Sequence, residues 1–98
     1  LQARVTPPIK TVVQFDLEAS ESSTVIDVVA RDCPGLLYRV ARTLHRLGLD
    51  IRLARIATEG EKAGDSFYVT WISGERVVDE IQLRRVVESV RTAVDAPL

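Results

Sequence analysis

No methionine occurs in these 98 residues, and cysteine, histidine and tryptophan occur once each. Each scarcity excludes something. A lone Cys33 forms no internal disulfide, which suits a reducing cytoplasm. One His and one Cys do not assemble a metal site with ordinary ligand spacing. A chain without methionine does not begin at its own initiator, so it is expected to be a processed product or a piece of a longer protein, and the piece is the reading adopted. No apolar run approaches the ~20 residues of a membrane span. The opening LQARVTPPIK lacks the apolar middle of a signal peptide. Charge of one sign is missing too. Lys and Arg number 13 against 14 Asp and Glu, so no field steers the chain toward nucleic acid or anionic lipid. Walker loops, GxSxG elbows and HExxH motifs are absent.

What is present is one domain's worth of amphipathic pattern, 46% hydrophobic and 28% charged. Residues 1–9 read as an irregular leader, with Pro7-Pro8 stopping any early helix, and residues 10–96 as the domain. TVVQFDL (11–17) alternates, with Val13, Phe15 and Leu17 on one face. Polar EASESS (18–23) turns the chain into TVIDVVA (24–30), a second strand rich in β-branched residues. A helix is predicted over 35–47, with Leu36, Leu37, Val40, Ala41, Leu44 and Leu47 at helical spacing and Gly48 at its C-terminal cap. DIRLARIAT (50–58) reads as a strand whose apolar phase slips between Leu53 and Ala54, which predicts a bulge or a strand covered on both faces. EGEKAG (59–64) reads as a hairpin loop, and DSFYVTWI (65–72) as a strand with Phe67, Val69 and Trp71 on one face. After a turn at 73–76, Asp79 caps a second helix with Gln82 at capping-box spacing. Leu83, Val86, Val87, Val90 and Val94 form its buried stripe.

The order is ββαββα. It predicts an α+β, ferredoxin-like two-layer sandwich, a four-stranded antiparallel sheet with two helices on one face. From Thr24 onward the order is βαββα, short of the last ferredoxin-like strand, and the N-terminal strand is placed to fill that edge. The helix-free face would carry Val25, Val29, Tyr68 and Ile72, a half-apolar surface of the kind that marks an interface.

Chemistry is sparse. His45 falls on the polar side of the first helix, the side of a solvated residue rather than a catalytic base. Asp16, Glu18 and Glu21 cluster on a turn beside serines. The exception is ARDCPGLLYRV (30–40). Asp32 ends a strand, Pro34 fixes direction and Gly35 leaves the backbone bare where a helix begins. Unpaired N–H groups and a partial positive charge there suit a carboxylate, and Asp32 suits an ammonium. A free α-amino acid presents both. A plain strand-to-helix turn accounts for the same residues equally well.

That stretch resembles the ACT family, small regulatory modules that bind amino acids and whose first turn reads D-x-P-G-x-L, matched here by Asp32, Pro34, Gly35 and Leu37. The likeness continues through Ile56-Ala57-Thr58, Gly60-Glu61, Asp65 and Phe67 to Thr70, and is nearest the C-terminal ACT domains of P-II uridylyltransferase/uridylyl-removing enzymes. It covers roughly 10–94. Cys33 departs from the arginine or asparagine common there. The resemblance implies a cytoplasmic regulatory domain without catalytic residues or a cofactor of its own, in a parent enzyme using Mg2+. It implies glutamine as ligand, a second ACT domain as neighbour, and P-II as a partner through the parent. Carried over, the ligand site comprises Asp32, Cys33, Pro34, Gly35, Leu36 and Leu37 with Gly48, Leu49, Asp50 and Ile51, joined where two copies meet.

Three other readings are weighed. An RNA-recognition module shares the topology but needs exposed aromatics and a basic field, and Tyr68 is the only suitable aromatic. An ACT domain that docks or dimerises without ligand, or one from another amino-acid-regulated enzyme, fits the same residues.

Overall fold

Alternation and turn chemistry build the sheet. In the computed structural model, which describes residues 8–97, the elements are β1 (Val12–Asp16), β2 (Thr24–Arg31), α1 (Leu36–Arg46), β3 (Leu49–Glu59), β4 (Lys62–Trp71) and α2 (Glu80–Asp95). Of the leader, residues 1–7 lie outside the described residues. The sheet order is β1-β2-β4-β3 and every pairing is antiparallel. The N-terminal strand thus takes the edge beside β2, where a ferredoxin-like fold places its last strand.

The core lies between sheet and helices. Val13↔Val28, Phe15↔Ile26 and Ile26↔Phe67 are in register, so these side chains share the helix-facing side. Leu36, Val40 and Leu44 of α1 and Leu83, Val86 and Val90 of α2 close over them. Each such buried aliphatic contributes about 1.5–3 kcal/mol of transfer free energy. Leu37, expected in the buried stripe, is 44% exposed, because it sits one residue round the helix from the Leu36–Val40–Leu44 line. The helices are joined at one end by Arg39, whose guanidinium donates to Ala96 O at 2.7 Å and so satisfies an orphan carbonyl past the end of α2. Asp79 caps α2 as expected, accepting from Gln82 N at 2.9 Å.

Three expectations change. The segment read as a loop over 59–64 is almost all strand: β3 runs to Glu59 and β4 begins at Lys62, leaving Gly60 and Glu61 as the turn, with Gly60 at φ 60. Pairing of Ala63 with Ala30 on the central strand β2 extends β4 through residues too polar to announce a strand. The bulge is real, but the register shifts between Ile51 and Leu53 and leaves Arg52 as the extra residue. The helix-free face is less apolar than expected. Val25 is buried between flanking strands, in register with Asp16 and Tyr68, and Ile72 lies beyond the end of β4. Polar pairs occupy that face, among them Ser66 Oγ donating to Asp27 Oδ1 at 2.6 Å, and the Arg55 guanidinium sits 5.6 Å from the Tyr68 ring centroid. Exposed apolar side chains are spread over several places: Leu53 on the helix-free side of the β3 edge, Ile56 on its helix-facing side near Leu37 and Tyr38 of α1, and Ile72, Val78 and Ile81 around the entry to α2.

Thr24 locks the 73–77 turn to the sheet. Its buried hydroxyl donates to Val77 O at 2.8 Å while Val77 N–H donates back at 2.9 Å. Thr24→Val keeps the shape and strands both Val77 groups. Urea titration is expected to show a loss of about 1–3 kcal/mol with an unchanged denaturant slope. An unchanged midpoint would mean that Val77 finds other partners.

Candidate functional site

The chain reverses from β2 into α1 within four residues, 32–35. Gly35 adopts φ 80, ψ 5, a left-handed conformation that side-chain-bearing residues resist, and it occupies the N-cap position of α1. A Cβ built at Gly35 meets nothing within 4 Å, so the glycine is required by its backbone angles, and the space before it is open. No side chain caps the helix. Leu36 N–H is taken by Cys33 O at 3.2 Å and Arg39 N–H by Gly35 O at 3.0 Å, whereas the N–H groups of Leu37 and Tyr38 have no hydrogen bond among the described residues. Two free donors and the positive end of an eleven-residue helix therefore point out of the turn.

The tip of the β3–β4 hairpin closes one side. Asp32 N–H donates to Glu61 O at 2.8 Å, and the Arg31 guanidinium pairs with the Glu61 carboxylate at 3.3 Å. That exposed ion pair adds little energy, but it fixes the turn against the hairpin. Between turn and hairpin lies a cavity of about 330 Å3, floored by Asp65 and walled by Asp32, Cys33, Gly35, Leu37 and Ile56. Asp65 is the chemically unusual member. It stands on the helix-facing side of β4, in register with Val28 and Ile56, and is only 4% exposed. Its Oδ1 accepts from Ala57 N–H at 3.2 Å. Its titration is pushed above the usual carboxylate value, first by burial and further by the nearby Asp32 charge, with the Ala57 hydrogen bond opposing.

The two halves of the expected site stand apart. Asp32, Cys33, Gly35, Leu36 and Leu37 share this cavity, whereas Pro34 is in the same turn but does not line it. Gly48, Leu49, Asp50 and Ile51 follow the opposite end of α1, about 16 Å away at 1.5 Å per residue, and none of them lines the cavity at the turn. Gly48, at φ 83, serves the C-terminal turn of the helix by donating to His45 O at 3.0 Å. Leu49 is core, and Asp50 meets Arg52 at 3.7 Å on the surface. The acidic cluster Asp16, Glu18 and Glu21 is turn chemistry: Asp16 Oδ1 accepts from the N–H groups of Glu18 and Ala19 at 2.8 and 3.1 Å. A separate groove of about 510 Å3 runs between Thr43 and Arg46 of α1, with Leu47 at its C-cap, and Ser89, Thr92 and Ala93 on α2, away from the turn. No group of three or more His, Cys, Asp or Glu side chains suited to a metal ion occurs among the described residues. No helix among them is long and apolar enough to cross a membrane.

Comparison with known proteins adds the following. The family described as "ACR9-like, ACT-like domain" matches residues 12–98. The chain is similar to the bifunctional uridylyltransferase/uridylyl-removing enzyme of Novosphingobium aromaticivorans, 44% identical over 87 residues, which are 89% of this chain and 10% of that protein. The enzyme of the same description from Azospirillum brasilense is 45% identical over 85 residues, 87% of this chain and 9% of the relative. That from Rhodospirillum rubrum is 38% identical over 90 residues, 92% of this chain and 9% of the relative. The chain thus spans about a tenth of the length of these relatives. No solved structure matches it.

Asp65→Asn isolates the burial of that charge. Burial favours the neutral form of this carboxyl in the folded chain alone, so the variant, neutral at every pH, is expected to melt at a higher temperature near neutral pH. Because the folded-state value is raised, the native chain takes up the proton first as pH falls. The variant's advantage should shrink through that range and vanish below the ordinary value of 3.8. Calorimetric melting of both chains across pH checks this, and a variant less stable at neutral pH contradicts it.

Proposed function

The chain belongs to the ACT-like domain family, and we propose that it is the amino-acid-reading regulatory domain of an enzyme that uridylylates and deuridylylates P-II, with glutamine as its ligand. The observation that carries this reading is the uncapped N-terminus of α1, whose free Leu37 and Tyr38 N–H groups stand at a cavity that also holds Asp32 and Asp65. Donors with a positive dipole end suit the α-carboxylate, carboxylates suit the α-ammonium, and Leu37 with Ile56 supplies apolar wall. An RNA ligand fits poorly, because the helix-free face presents Asp27, Ser66 and a Tyr68 ring already under Arg55.

The relatives' printed names supply the parent: each is a bifunctional uridylyltransferase/uridylyl-removing enzyme about ten times longer than this chain. Catalysis, and the Mg2+ it uses, belong to the rest of such a protein, which acts in the cytoplasm. This domain contributes a ligand-dependent surface. Its neighbour is a second ACT domain, in the same chain or another, seated on the β3 edge beside Leu37, Tyr38, Leu53 and Ile56. An edge strand of eleven residues with exposed apolar side chains favours such a cover. In that arrangement residues 48–51 of one domain complete the cavity at residues 32–37 of the other.

Gly35→Asn tests the ligand reading. Asparagine accepts left-handed backbone better than other side chains, so the turn is retained while a side chain enters the open space at the cavity mouth. Isothermal titration of the unaltered chain with glutamine is expected to give a dissociation constant between about 1 mM and 1 μM, the span of roughly −4 to −8 kcal/mol. The variant should bind at least about tenfold more weakly, a loss of roughly 1.4 kcal/mol, with a melting temperature close to the parent. Equal affinities would move the ligand away from this turn.

A further inference from the structure

Asp65 has one hydrogen bond where a buried carboxylate has room for several. Ala57 N–H occupies Oδ1, and Oδ2 has no hydrogen-bond partner among the described residues. No polar side-chain atom there is both sealed from solvent and unpartnered, so Oδ2 opens onto the cavity that Asp65 lines. The residue as a whole is nevertheless buried, at 4% exposure. No cationic side chain on the cavity wall compensates it, and no hydrogen bond joins it to the open end of α1. The titratable groups facing Asp65 are Asp32 from the turn, Cys33 beside it and Tyr38 from α1, and the neighbours in register on β2 and β3 are Val28 and Ile56. Lys, Arg and His are all missing from the lining.

We propose that Asp65 is the residue that reads the ligand's cationic group, its Oδ2 accepting the α-ammonium of an amino acid whose carboxylate lies on the α1 N–H groups. The inference rests on the amino-acid reading above and adds a specificity-determining residue to it. Position favours Asp65 over Asp32. A charge pair on the cavity floor forms away from bulk water, where the attraction is less screened than at the rim occupied by the exposed Asp32. The burial that raises the Asp65 titration also makes the fold better off without the charge, which is how groups kept for binding commonly stand. The cavity's two signs choose the ligand class. A simple anion would meet the helix end and two carboxylates together. A hard divalent cation wants six or more oxygens, and the two carboxylates leave most of that shell empty. A group with adjacent positive and negative ends uses both walls.

Glutamine and its ammonium-free analogue glutaramate separate Asp65 from everything else in the site. Each is titrated calorimetrically into the 98-residue chain and into Asp65→Asn and Asp32→Asn. The parent chain is expected to prefer glutamine by about tenfold or more, as befits a hydrogen bond to a charged group. Asp65→Asn should bring the two affinities within about threefold by weakening glutamine alone, while Asp32→Asn keeps most of the preference. Asn at Asp65 is isosteric and retains an acceptor for Ala57 N–H, and its melting curve reports whether the fold is intact. A second arm needs no variant: the unaltered chain's affinity for glutamine, whose own carboxylate stays ionised there, should decline as pH is lowered into the raised titration range of Asp65, and Asp65→Asn should lose that decline. A preference that survives Asp65→Asn, or that Asp32→Asn alone abolishes, overturns the assignment and leaves the amino-acid reading standing. Failure of the unaltered chain to bind either compound, at concentrations where sedimentation shows two copies paired, overturns both.

Discussion

A chain that leaves the central strand β2 and must enter α1 within four residues depends on one left-handed backbone at Gly35. From that constraint the helix takes its angle over the sheet, and Leu36, Val40 and Leu44 fall onto Ile26, Val28 and Phe67. The same turn spends no side chain on capping, so the helix end stays open. An N-cap with extended backbone and a serine or aspartate side chain would have closed it with about 1 kcal/mol of helix stability, but the left-handed backbone of this turn does not accept one. α2 shows the alternative, closed by Asp79 on Gln82 N–H. Two helices of similar burial thus begin in opposite ways, and the open one faces the cavity.

Beneath the open end lies the other departure from what stability alone favours. Asp65 shares its face with Phe67 and Val69, in the row where neighbouring strands place Val28 and Ile56. Its carboxylate is held by a single backbone donor and pressed by a second acid. An unpaired positive helix end above and an under-compensated negative group below are complementary, yet no hydrogen bond joins Asp65 to the Leu37 or Tyr38 N–H groups. A zwitterion between them satisfies both. The hairpin tip, tied to the turn through Asp32 and Glu61, keeps the two walls in register.

Much of this was legible in the residues. The element order, the antiparallel sheet and the N-terminal strand at the vacant edge follow from alternation and helical spacing, and Gly35 stood out for its bare backbone at the helix start, its left-handed angles being added by the structure. The 59–64 segment misled because an edge strand need not alternate: Thr58 and Glu59 are exposed, and Lys62 to Gly64 are strand through pairing with β2, a contact distant in sequence. Val77 gave no periodic signal, since it joins the core from a segment that is neither helix nor strand, its backbone tied to Thr24. Asp65 was legible and overlooked. Counting back by two from Phe67 puts it on the core face, but a polar residue at the head of an apolar run reads as the strand's solvated start. Separation of the 48–51 segment from the turn follows from the length of α1 alone, so any site using both needs a second domain.

The central claim is that the open end of α1 and the floor of β4 act as one binding site, and amide chemical shifts of a 15N-labelled chain during a glutamine titration address it most directly. The account predicts that the largest shifts fall at Gly35, Leu37 and Tyr38 and, across the cavity, at Ala57 and Asp65, moving together with a single midpoint. Shifts centred instead on Arg46, Leu47 and the groove facing Ser89 and Thr92, with the turn unmoved, would contradict it.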